Sequence, residues 1–66
     1  MLYTCFLSFP DHTNIQAEYS SAGKMYQALL NIYAENSETD IVIRQKTDKG
    51  DEFVEFDGPL KEFLTR

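Results

Sequence analysis

Hydrophobic and polar positions change their spacing along the chain, and each change marks an element. The opening MLYTCFLSF alternates, with Tyr3, Cys5, Leu7 and Phe9 on one side and Leu2, Thr4, Phe6 and Ser8 on the other. Period two with aromatic and β-branched residues predicts a strand. Pro10 should end it, because proline brings no N–H to a ladder. The polar DHTNIQAEY that follows reads as a connection, since Asp11, Thr13 and Asn14 are turn formers.

From Ala22 to about Glu35 the spacing becomes three and four. Ala22, Met25, Tyr26, Leu29, Leu30, Ile32 and Tyr33 form an apolar stripe, with Lys24, Gln27, Asn31 and Glu35 mainly between them. This predicts one amphipathic helix, capped by Ser20 or Ser21 and ended by Asn36 and Ser37. Neither serine is followed three residues later by Glu or Gln, so the fuller capping box is absent. Gly23 in the first turn lowers helix propensity and is expected to serve close packing.

IVIRQKT and EFVEF then alternate on either side of Asp48-Lys49-Gly50-Asp51, a hairpin whose glycine supplies positive φ. Pairing Thr47 with Glu52 sets Ile43 opposite Phe56, Gln45 opposite Val54 and Arg44 opposite Glu55. That register gathers Ile41, Ile43, Val54 and Phe56 on one face and leaves Phe53 outside beside Lys46. A slip of one residue would mix charge into the apolar face. Gly58-Pro59 breaks the strand, and Leu60, Phe63 and Leu64 share one side of a short C-terminal helical turn.

The predicted fold is therefore α+β, a two-layer β-α-β-β unit formed by residues 1–66 as a single domain. A three-stranded antiparallel sheet carries one helix on one face. The arrangement expected places the third strand between the other two, all neighbours antiparallel, with a right-handed crossover. The order with the second strand central competes with it.

Size narrows the chemistry. A 66-residue chain buries only about 60% of its unfolded surface, enough for one core and not for a deep substrate cavity too. No enzymatic activity is expected. Cys5 stands alone, so no disulfide framework or multi-cysteine metal site can form, and a reducing cytoplasm is the expected home. No secretory leader pattern opens the chain, and no apolar run approaches the ~20 residues of a membrane span.

Cys5 alternates into the apolar face with no base nearby in sequence, so it reads as a small buried hydrophobe. His12 beside Asp11 lacks a companion nucleophile and reads as turn chemistry. No catalytic residue, metal or cofactor is expected; DKGDEFVEFD lacks the ligand spacing of a calcium loop.

Charge carries the remaining signal. Eleven acidic against six basic residues give a net charge of −5, which repels nucleic acid and attracts basic proteins. The acids gather in two runs, Glu35, Glu38 and Asp40 before the second strand, and Asp48, Asp51, Glu52, Glu55 and Asp57 around the hairpin. Carboxylates in rows can imitate a line of phosphates, although Arg44, Lys46 and Lys49 offset the hairpin run. A purely solvating role is the plainer reading of the same residues.

In total length, element order and the carboxylates of ENSETD and DKGDEFVEFD, the chain resembles the small acidic inhibitors of phages and mobile elements, the anti-CRISPR class. The resemblance implies a non-enzymatic inhibitor, in the host cytoplasm, that occupies a basic nucleic-acid-binding subunit as a DNA mimic. Glu35, Glu38, Asp40, Asp51, Glu52, Glu55 and Asp57 are then the expected partner-binding residues, on a monomer and without direct nucleic-acid binding. The alternative is a structural or regulatory module that dimerises through a sheet edge, with the first strand as the surface.

Overall fold

A computed structural model describes residues 1–66, in the order β1 (Leu2–Ser8), β2 (Asn14–Tyr19), α1 (Ala22–Glu35), β3 (Asp40–Lys46), β4 (Glu52–Pro59) and α2 (Leu60–Thr65). The class is α+β with an antiparallel sheet, as expected, but the sheet has four strands in the order β2-β1-β3-β4, and there are two helices.

The added strand is β2, from the stretch predicted to be a connection. Ile15, Ala17 and Tyr19 alternate with Asn14, Gln16 and Glu18, and pair in unbroken register with Leu7, Cys5 and Tyr3. Only Phe9 to Thr13 is a loop. The Phe9 N–H donates to the Thr13 carbonyl at 2.9 Å and the His12 N–H donates to the Phe9 carbonyl at 3.0 Å. His12 closes the turn at φ 70°, and Asp11 accepts bonds from the Thr13 backbone N–H and hydroxyl. Those two bonds, the hydroxyl's first, hold the Asp11 carboxyl below its ordinary pKa.

The strand order also differs from the favoured one. β3 lies between β1 and β4, the competing arrangement, so β1 and β3 are themselves antiparallel neighbours. β1 is thereby interior and cannot serve as the dimerising edge expected of it. The edges are β2 and β4.

The hairpin register holds at one end and slips at the other. Ile43 faces Phe56 as expected, whereas Arg44 faces Val54 and Gln45 faces Phe53, with the irregularity between Ile43 and Arg44. Glu55 is the extra residue of a β-bulge. The bulge reverses the predicted faces beyond it. Val54 shares the Arg44 side and is 53% exposed, while Phe53 joins the side of Gln45 and Ile43.

One side of the sheet carries the core. Cys5, Leu7, Ile41 and Ile43 meet Met25 and Leu29 of α1 and Leu60 and Phe63 of α2. At about 25 cal/mol per Å² of apolar area, these eight side chains are the principal source of stability in so small a fold. Ser21 caps α1, its Oγ accepting from the Lys24 N–H at 3.2 Å. The Tyr26 hydroxyl donates to the Leu64 carbonyl at 2.8 Å and ties the helices together. Leu60 N–H donates to the carbonyl of buried Thr39 at 2.8 Å, which locks the start of α2 against the entry to β3. The opposite sheet face, with Thr4, Phe6, Val42 and Arg44, bears no helix.

Candidate protein-binding surface

Each expected partner-binding residue takes its place from this framework. α1 ends at Glu35, and the connection through Glu38 brings the chain to Asp40 at the first position of β3. Asp40 pairs with Pro59 and Val42 with Asp57, so Asp40 and Asp57 are diagonal neighbours on the open face. Glu35, Glu38, Asp40 and Asp57 are all exposed and share this end of the sheet.

The others go elsewhere. Six residue steps separate Asp40 from Lys46, about 20 Å along a strand, so Asp51 and Glu52 lie at the far end of the hairpin. Glu52 Oε1 is 3.5 Å from Arg44 Nε, and Asp48 Oδ1 is 2.9 Å from the terminal ammonium of Met1. Glu55 turns at the bulge toward the helical layer, where its Oε1 lies 4.0 Å from Arg66 Nη2 and its Oε2 is buried without a hydrogen-bond partner. Arg66 in turn covers the Phe63 and Phe56 rings, its Cζ 4.7 and 5.4 Å from their centroids.

The cations thus pair with Asp48, Glu52 and Glu55, while Asp51 and the other group have no ion pair. None of Glu35, Glu38, Asp40 or Asp57 forms a salt bridge. Arg44 and Lys61 each stand four residues from this group along the chain; Arg44 is paired with Glu52, and Lys61 has no ion pair. The C-terminus of α1 adds to the field, because its unpaired carbonyls carry a negative partial charge and its last turn holds no basic residue. An acid at a helix C-terminus costs stability, so Glu35 is not placed there for the helix's own benefit.

Comparison with protein-family models, with curated proteins and with solved structures finds no match. The chemistry of this chain's own side chains must therefore carry the functional reading.

Cys5 is fully buried, and its thiol is pushed up to about 11 by burial and, secondarily, by the negative charge of Glu55. It has no route to a substrate. His12 lies in the β1–β2 turn, where its backbone conformation closes the loop. No group of three or more His, Cys, Asp and Glu is arranged to hold a metal ion. An open groove runs along α1, lined by Gly23, Tyr26, Gln27 and Leu30 among others. No helix is long and apolar enough to cross a membrane.

Sequence reasoning missed two contributors to the acidic end: the helix terminus and the grouping of Asp57 with Asp40 instead of the hairpin. The first was legible, since EN at the close of a helical stripe without a following cation announces it. The second needed the register of β3 against β4.

Proposed function

We propose that the protein is a non-catalytic inhibitor that presses its acidic end against a basic surface of a nucleic-acid-processing complex in the host cytoplasm. The observation that carries this reading is that Glu35, Glu38, Asp40 and Asp57, exposed at the end of the sheet where β3 begins, form no salt bridge. A cationic groove shaped for phosphates meets exposed carboxylates there, and long-range attraction raises the rate of encounter. CRISPR effectors are the target class suggested by the resemblance in length and charge. Asp51, Glu52 and Glu55, paired with cations or distant, contribute less to recognition than the other four. No cofactor is involved.

The test is target-DNA cleavage by a panel of purified CRISPR effectors with the protein added. Close interfacial charge pairs couple by about 1.5 kcal/mol or more each, so Glu38→Lys, Asp40→Lys and Asp57→Lys together should weaken inhibition at least ~100-fold. Asp51→Lys with Glu52→Lys should leave potency within about threefold, as expected of exposed or already paired charges. Equal potency of the triple variant and the wild type would rule out the acidic end. An entirely uninhibited panel would rule out the target class.

A further inference from the structure

The two edges of the sheet are built differently. β4 is guarded by the bulge at Glu55, by Gly58 and Pro59 at its end, and by the turn into α2. Bulges, prolines and charges are the usual means of preventing an edge from pairing. β2 has neither bulge nor proline. Its six residues keep regular register with β1, contain no proline, glycine, lysine or arginine, and carry one charge, Glu18. Every second residue of β2 turns its N–H and C=O away from β1, toward an empty edge. Beside that edge Ile15 is 46% exposed on the face that carries the core.

We propose that a second copy of this chain pairs with β2 along this edge, antiparallel and centred on Ala17, to give a continuous eight-stranded sheet. The strand is complementary to itself in that register. A two-fold axis through Ala17 sets Ile15 opposite the other copy's Tyr19 on the helical side, an aromatic–β-branched pair that covers the exposed isoleucine. On the open side Gln16 falls opposite the other copy's Glu18, so the strand's one charge meets an amide and not its own image. A shift of one residue would set apolar side chains across from polar ones.

Charge on the whole molecule agrees with this choice. Ser8, Asn14 and Asp40 lie at one level of the sheet, so β2 starts at the acidic end. A two-fold axis normal to the sheet reverses the second copy, and the two acidic ends then point in opposite directions. Two chains of charge −5 can associate there without bringing those carboxylates together. The dimer stands independently of the proposed inhibition, and would offer two acidic ends to a repeated or two-sided target.

Sedimentation velocity on the intact chain tests it. The contact is below standard interface size, so the concentration series should run from roughly 10 µM to 1 mM. The sedimentation coefficient should rise toward that of a dimer across the series. Ile15→Lys should stay monomeric throughout while its circular dichroism remains that of the wild type. Ala17→Cys, made with Cys5→Ala because Cys5 is its cross-strand neighbour, should oxidise to a covalent dimer. Glu52→Cys on the β4 edge, in the same background, should not. A monomer across the whole range, a dimer that survives Ile15→Lys, or cross-linking as fast at 52 as at 17 would overturn the proposal.

Discussion

The thiol of Cys5 sits under α1 and α2 with Glu55 near enough to oppose its ionisation. Burial makes it inert at neutral pH and a liability at high pH. The native state holds the proton up to about 11, against an ordinary value of 9.0 for the free thiol. Between those values the unfolded chain loses the proton and the folded chain keeps it, so stability is full below about pH 9 and falls as pH rises through the window. The loss approaches roughly 2–3 kcal/mol for two pKa units. Urea denaturation at pH 8 and pH 10.5 should show a steeper decline for the wild type than for Cys5→Val, and native protein at pH 8 should resist iodoacetamide. A rapidly alkylated thiol would place Cys5 at the surface. Alternation of Tyr3, Cys5 and Leu7 was enough to read this burial from the chain, because it needs only strand periodicity. The influence of Glu55 was not readable, since its inward turn arises from a bulge that no residue type announces.

At the level of elements, legibility followed the strength of the pattern. α1 was plain because seven apolar residues recur at helical spacing, and Ser21 and Asn36 mark its ends. β2 was hidden because its outward positions are Asn14, Gln16 and Glu18 and its middle inward one is Ala17, all poor strand formers. Position on an edge explains why such residues suffice: one side needs no partner and one face needs no apolar cover. The signal was still present in Ile15, Ala17 and Tyr19. Strand order could not be read, since a tight β3–β4 hairpin is compatible with either strand lying beside β1. Two substitutions test these elements by urea denaturation. Ser21→Ala should cost about 1 kcal/mol through loss of the Lys24 N–H acceptor. Gly58→Ala should cost about 1 kcal/mol or more, because φ there is 157°, a conformation that side chains with a Cβ rarely adopt. A neutral Gly58→Ala would mean that β4 leaves the sheet differently at Pro59.

For the whole molecule, a net charge of −5 says less than where its acids go. The hairpin run draws the eye in the sequence, yet Met1, Arg44 and Arg66 lie against Asp48, Glu52 and Glu55. The shorter run before β3, joined by Asp57 across the sheet, has no ion pair, and Glu35 stands at the helix end. Charge counts along the chain cannot separate the two groups, because the separation is made by strand register and by which cations fold back. Recognition at that end should weaken steeply with salt, since exposed charges are screened within about 10 Å at 0.1 M ionic strength. The most direct measurement is paired affinity capture from a bacterial lysate with the wild type and the Glu38→Lys, Asp40→Lys, Asp57→Lys variant, eluted in turn with duplex DNA and with salt. The account predicts that the wild type alone retains a nucleic-acid-binding protein and that duplex DNA displaces it. The same proteins retained by both baits, or a partner indifferent to DNA and salt alike, would contradict it.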